Sequence, residues 1–547
     1  MSLAAVASPP QSLKNLADRG LRLAIAAIAL LVAVVIIRVA FGPQLDGLDD
    51  AGYLEAAQRV SRHQSLNDLF PLFRTRVGMA YPLGWLLERQ WLEPIHFWWL
   101  TLIAESVTIL SLCFAGFALS GSTSVGISAA ALYAIYPLAV QQSMMYYPTS
   151  FQVASIALAM ALIALAGRKS RTGQLVLGFV AGICLGLGYL VKEDVAIVVA
   201  AIVLAAMIVR FPAARIVAAV CAGAALIFAV ESWMYWQSTG DPLFRLHATS
   251  GRGFVAQDDL RIGSIYHLDA YLRTLLLVPV EVGLFWWLAI AGLWAVIRGY
   301  WMRTVGRGEA FVAAVFLLVM AYLQFGSGSL SAYTPLPKTP RYTALATPPL
   351  MLITGWWLTQ LVKDRRRLGL VVCALVISSA AACLSYLAVS SSERARNTIA
   401  ILPVLDKVVS EPVYSDYYTV RLLRLLKPNM SDLRIWFHAR FTEHRYVITD
   451  DPSQDPGAYV LLDRQMAKIY TSSYEMPLPS EIAGPKAQWE VMWQHRAYAR
   501  ESLTGRALDA IRSMTVRLPD AFPLKARVMR SVTEMADDDE ATLYRVR

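Results

Sequence analysis

Charge is scarce in this chain. Only 16% of its 547 residues are Asp, Glu, Lys or Arg, against about 25% in ordinary soluble domains. Hydrophobic residues make up 56%, and the mean hydropathy is +0.46. The deficit excludes a soluble enzyme, a disordered chain and a fibrous repeat, and leaves a polytopic membrane protein. Cysteine is also sparse. Cys113, Cys184, Cys221, Cys373 and Cys383 all fall in apolar stretches, none at metal-ligand spacing from another. That excludes a disulfide framework or a zinc ribbon and reads them as small helix hydrophobes. No Gly-rich phosphate loop and no dinucleotide fingerprint occurs, nor any internal repeat or low-complexity linker. The long apolar stretches are nearly free of acids away from their ends. A transporter would want charges within its spans and inverted repeats, so this scarcity speaks against one.

What is present is length for many spans. A crossing helix needs ~20 mostly apolar residues. Eleven stretches qualify: 21–41, 95–119, 124–143, 149–167, 173–191, 194–211, 215–236, 274–298, 309–325, 342–362 and 368–390. The first ends Arg38-Val39-Ala40-Phe41, which is no small-residue cleavage site, so it reads as a retained anchor. The 50 Lys+Arg against 40 Asp+Glu give +10. With the N-terminus inside, 15 basic residues but only Asp18, Glu309 and Asp364 fall on the inner side. This bias predicts a cytoplasmic N-terminus and an outer C-terminus. The positive charge is thus explained by topology, and nucleic acid is not an expected partner.

Residues 1–391 then form a transmembrane domain and 392–547 a second one. The latter carries 22 Lys+Arg and 21 Asp+Glu and no spanning stretch. Short apolar runs such as Tyr459-Val460-Leu461-Leu462 alternate with helix-like segments such as Val420–Leu426. The expectation is a small α/β domain on the outer face, held by its core alone.

Four outer segments carry the chemistry. In 42–94, Asp49-Asp50 opens a helix with Tyr53, Leu54, Ala57 and Val60 on one face, expected to lie at the membrane interface. A carboxylate is favoured at such a start, so the acids are either caps or functional. Further on, Arg74 and Arg76 precede a second apolar helix bearing Tyr81. A guanidinium offers a planar donor fork for phosphate oxygens, or snorkels. The second segment holds Tyr146-Tyr147-Pro148, which also fits an aromatic belt. The third is Lys192-Glu193-Asp194, three charges between apolar helices, read as a self-satisfied cluster or a phosphate contact. In the fourth, 326–341, Pro340 presents Arg341 and Tyr342 at a helix start, where an anion would suit the cation. The longer loop 237–273 holds His247, Arg252, Asp258, Asp259, Arg261 and His267, without metal-ligand spacing; it reads as an acceptor lid or a weak metal candidate.

Cations and a carboxylate beside a bilayer suit transfer of a lipid-phosphate-linked sugar. The cations hold the leaving phosphate and the carboxylate takes the acceptor proton.

The motifs resemble a known family. Asp49-Asp50-x-x-Tyr53-x-x-Ala56-Ala57 is similar to the acidic first-loop motif of GT-C glycosyltransferases, in the family-39 and protein-mannosyltransferase-like group that includes the lipid A aminoarabinose transferase. Arg76 to Gly84, Tyr147-Pro148, Gly188 to Glu193 and Pro340-Arg341-Tyr342 resemble further elements of that group, in the same order. The likeness covers 21–390. It implies an all-α membrane fold of GT-C type with about eleven spans and a small C-terminal α/β domain. It implies an inverting transfer from a polyprenyl-phosphate sugar to a hydroxyl of a glycolipid, cell-envelope polysaccharide or protein, in a bacterial inner membrane. Asp49 would be the catalytic base, and Asp50 would support it or help bind a divalent cation. Arg74, Arg76, Lys192, Arg341 and Tyr147 would bind the donor phosphate. Tyr53, Tyr81, Tyr146, Glu193, His247 and Tyr342 would line the substrate site. Asp stands at 50 where the group has Glu. The alternative is an oligosaccharide ligase with a polyprenyl-diphosphate donor, centred on the Arg and His residues of loop 237–273.

Overall fold

The computed structural model describes residues 13–41, 49–250, 264–327, 333–390, 393–407, 411–428, 430, 432–440, 445–463, 486–496, 503–517, 519, 525–526, 529 and 540–547. Of loop 237–273, residues Arg252, Asp258, Asp259 and Arg261 therefore lie outside the described residues.

Each apolar stretch named above is mostly helical. Among the described residues, six helices are long and apolar enough to cross a membrane: Pro94–Ser120, Pro148–Ala166, Arg171–Val191, Ala214–Thr239, Arg307–Phe325 and Arg366–Leu384. The stretch 124–143 is two helices, Thr123–Ala134 and Pro137–Ser143, bent by 62°. Pro137 has no N–H to continue the first helix and disfavours helical geometry at Tyr136. Leu23–Val39 and Val195–Val209 are shorter apolar helices. The stretch 274–298 is not one helix. A short π-helix, Leu272–Leu277, ends before Pro279, and the α-helix begins only at Phe285. The eleven expected stretches thus differ in kind, and six meet the length and composition of a span.

The chain divides into two compact units. One comprises 1–40, 102–139 and 149–377. In it, Arg171–Val191 lies against Ala214–Thr239 with glycines at the crossing. A Cβ on Gly182 would strike the Val220 carbonyl, and one on Gly223 the Phe179 carbonyl. Small residues let membrane helices approach this closely.

The other unit comprises 41–101, 140–148 and 378–547, so the segment after the first helix folds with the C-terminal region. Six strands make a mixed sheet: β1 (Val413–Asp416), β2 (Leu433–Arg440), β3 (Arg445–Ile448), β4 (Tyr459–Asp463), β5 (Trp489–His495) and β6 (Ala541–Val546), in the order β3-β2-β1-β4-β6-β5. β1 runs parallel to β2 and β4, and the other pairs are antiparallel. Trp436, Phe437, Val460, Trp489 and Tyr544 are among its core. The parallel crossover from β1 to β2 is the amphipathic helix Tyr417–Leu426. Asp416 caps it, accepting from the Tyr418 and Thr419 amides at 2.9 and 3.1 Å. This helix also meets the first-loop helix Asp49–Ser61. Gln58 Nε2 donates to the Leu425 carbonyl at 2.5 Å, and Arg421 Nη2 to Glu55 Oε2 at 2.7 Å.

Candidate functional site

The acidic pair opens the helix Asp49–Ser61. Asp50 is buried and its Oδ1 accepts from the Ala51 amide at 2.7 Å, while Asp49 is only half-buried. The helix is not a lipid-facing surface helix as its pattern suggested. Asp50, Ala51, Gly52, Tyr53, Leu54, Ala56, Ala57 and Gln58 are all buried, since both Val77–Glu88 and Tyr417–Leu426 pack on it. Gly52 is required by its neighbour: a Cβ there would enter the Phe73 ring, which meets Tyr53 edge-on at 5.1 Å.

Arg76 sits at the bend between Pro71–Thr75 and Val77–Glu88 and is 6% exposed. Its Nη1 donates to the Tyr53 hydroxyl. The same tyrosine therefore links the acidic helix to a buried guanidinium. Arg74 Nη1 donates to the Asn67 carbonyl at 3.2 Å. Tyr81 is exposed. Tyr146 is buried and donates to the Met79 carbonyl at 2.6 Å, so it braces the Val77–Glu88 helix from beneath. Tyr147 is half-buried beside it.

In the other unit, Lys192, Arg341 and Tyr342 come together. Lys192 Nζ lies 4.4 Å from the centre of the Tyr342 ring, and the Arg341 guanidinium 5.4 Å from it. Two cations meet one aromatic ring. Pro340 opens a 3-10 turn, Pro340–Ala346, that leads into the helix Thr347–Asp364, and this presents Arg341 outward. Lys192 Nζ is 2.5 Å from Asp194 Oδ2, so the cluster is partly self-paired. Glu193 is half-buried in the same turn. Glu281 faces the Arg341 charge. Buried Tyr271 stands near Tyr342 and Asp194; burial, then these neighbours, push its phenol above the ordinary range. Lys338 donates from Nζ to the Tyr266 carbonyl at 2.9 Å and the Leu336 carbonyl at 3.3 Å. Burial holds this ammonium below the usual lysine range. His247 is exposed and lies 2.7 Å from Asp241 Oδ2.

The apolar stretches are nearly free of acids away from their ends, and two acids within them, Glu105 and Glu231, are met by buried ion pairs. Arg38 Nη2 donates to Glu105 Oε2 at 3.0 Å, and both side chains are buried. Tyr133 donates to Glu105 Oε1 at 2.8 Å, and Arg38 Nη1 to the Ala134 carbonyl at 3.1 Å. Arg245 Nη2 is 2.8 Å from Glu231 Oε1, again with both side chains buried. Each acid stands inside an apolar helix and is tolerated there because a cation from another segment meets it.

Among the described residues, no three His, Cys, Asp or Glu side chains group to hold a metal. Asp49 and Asp50 offer two carboxylates, so the described donor set does not by itself complete a divalent-cation site.

No family model matches the chain, and no curated protein does. Solved structures do. The oligosaccharyltransferase of Archaeoglobus fulgidus, crystallised with zinc and sulfate, is 10% identical over 95% of this chain and 88% of its own, with a TM-score of 0.51. ArnT from Cupriavidus metallidurans, bound to undecaprenyl phosphate, is 13% identical over 84% of this chain and 99% of its own, with a TM-score of 0.52. The fold is that of the GT-C glycosyltransferases.

Proposed function

We propose that this chain is an integral-membrane glycosyltransferase that moves a sugar from a polyprenyl-phosphate donor to an acceptor hydroxyl on the outer face, with inversion. The observation that carries it is the acidic pair at the start of a buried first-loop helix, tied through Tyr53 to buried Arg76, in a GT-C fold. The solved ArnT bound to undecaprenyl phosphate supports a lipid-phosphate donor.

In this reading the acceptor oxygen attacks the anomeric carbon as its proton passes to the Asp49 carboxylate. The bond from that carbon to the phosphate oxygen breaks, and its electron pair leaves with the polyprenyl phosphate. Arg74, Arg76, Lys192, Arg341 and Tyr147 are assigned to the phosphate, where preorganised cations act on developing charge. Asp50 steadies the helix start. Tyr53, Tyr81, Tyr146, Glu193, His247 and Tyr342 are assigned to the substrate surroundings, Tyr53 and Tyr146 through the contacts described above.

A charged hydrogen bond to a buried partner is worth about 1.5–3 kcal/mol. Arg76→Ala, Lys192→Ala and Arg341→Ala should therefore each weaken binding of polyprenyl phosphate about tenfold or more. Parental affinity in all three purified variants would remove the cationic assignment. The likeness to an oligosaccharyltransferase is of equal strength, so a diphosphate donor is the second reading. Comparing transfer from mono- and diphosphate lipids carrying one sugar separates the two.

The proposed setting is a bacterial inner membrane, with eleven crossings and residues 392–547 outside. An impermeant thiol reagent applied to intact cells should label a cysteine placed at exposed Asp450 and miss one at exposed Ser170. The reverse pattern would overturn the orientation.

A further inference from the structure

The short helix Phe244–Ser250 belongs to the outer loop and carries one buried cation, Arg245, 1% exposed. Its guanidinium reaches the C-terminal end of another helix, Arg171–Val191. Nη1 donates to the Tyr189 carbonyl and Nη2 to the Leu190 carbonyl, the latter at 3.0 Å. Nη2 also lies 2.8 Å from Glu231 Oε1, and the guanidinium stacks over the Tyr189 ring at 4.8 Å. The last carbonyls of a helix have no partner within it, and a cation there also suits the helix dipole. The residue that follows this helix end is Lys192.

We infer that Arg245, held by Glu231, is a positioning residue for Lys192: it fixes the helix end at Tyr189–Leu190 and so sets where the lysine emerges over Tyr342. Three observations support it. The guanidinium touches the two residues three and two positions before Lys192. Its buried charge is balanced by a carboxylate from a different helix, Ala214–Thr239, so its place is determined from two sides. And Lys192 Nζ is held only 4.4 Å from the Tyr342 ring centre, a spacing that a small shift of the helix end would change. A lysine at 245 could not reproduce the fork, because an ammonium is a point donor on a flexible stem. Docking of the 244–250 helix thereby adjusts the cation assigned to the donor phosphate.

The inference rests on the assignment of Lys192 to the donor phosphate, and a double-mutant cycle separates the two. The measured quantity is the affinity of purified, monodisperse protein for polyprenyl phosphate. Lys192→Ala should weaken binding about tenfold, and Arg245→Lys about fivefold. In the Lys192→Ala background, Arg245→Lys should have no further effect, because it acts through the missing ammonium. A merely structural role would give additive losses in the double variant, and that result overturns the inference. An unchanged affinity in Lys192→Ala would instead overturn the parent assignment. Glu231→Gln keeps the shape and one acceptor while removing the counter-charge, and it should repeat the Arg245→Lys pattern. If Arg245→Lys does not fold, the Glu231→Gln cycle decides, additivity again counting against the idea.

Discussion

Replacing Asp49 by Asn is expected to lower sugar transfer by about 10²–10⁴-fold, the range that a positioned general base contributes. An acceptor hydroxyl has a high pKa and attacks efficiently only as its proton leaves. Asn keeps the shape of Asp and its ability to cap a helix, so the fold should survive. Asp49 is half-buried at the first turn of a helix whose other residues are mostly buried. It is thus held by a rigid element while remaining reachable. Asp50 is buried and accepts from its neighbour's amide, so Asp50→Asn should be milder; an equal loss from that variant and from a chelator would give it a metal role. The measurement is turnover of a polyprenyl-phosphate sugar by purified variants of parental monodispersity. Near-parental turnover in Asp49→Asn would return the pair to simple helix caps.

The second large effect is on stability. Glu105→Ala removes the carboxylate that faces Arg38 in the apolar interior, leaving a buried guanidinium with only the Ala134 carbonyl among the contacts described. Breaking one side of a buried pair costs about 3–5 kcal/mol. Replacing both members with apolar residues of similar volume is often neutral. So Glu105→Ala should unfold at markedly lower SDS fraction in mixed micelles, and Arg38→Met combined with Glu105→Leu should recover most of the loss. Equal stability of parent and Glu105→Ala would show that the pair carries no such load.

These two residues also show what the sequence could and could not convey. The apolar stretches announced helices because hydrophobic length is a local property. The start at Asp49 and the strand Tyr459–Asp463 were legible for the same reason. The break before Phe285 was signalled by Pro279 but hidden within a continuous apolar run. Glu105 and Arg38 stand 67 positions apart, and Glu231 and Arg245 lie on different elements. Nothing local to any of the four revealed its partner. Arg76 read as a phosphate ligand or a snorkelling residue, and its bond to Tyr53 depends on how three short helices turn. Burial of the 49–61 helix was missed because one of its partners, Tyr417–Leu426, comes from the far end of the chain.

That last contact has a consequence for biosynthesis. Arg421 meets Glu55 across 366 positions of sequence. At ~5–20 residues added per second, the first loop waits roughly 20–70 s for its partner to be made. During that wait the Asp49–Ser61 helix has no C-terminal helix to cover it. Full cover of the candidate catalytic helix therefore comes late in synthesis rather than at its beginning. A chain stopped after Arg366–Ser390 would still hold its acidic pair on a helix covered by Val77–Glu88 but lacking the Arg421 and Leu425 contacts.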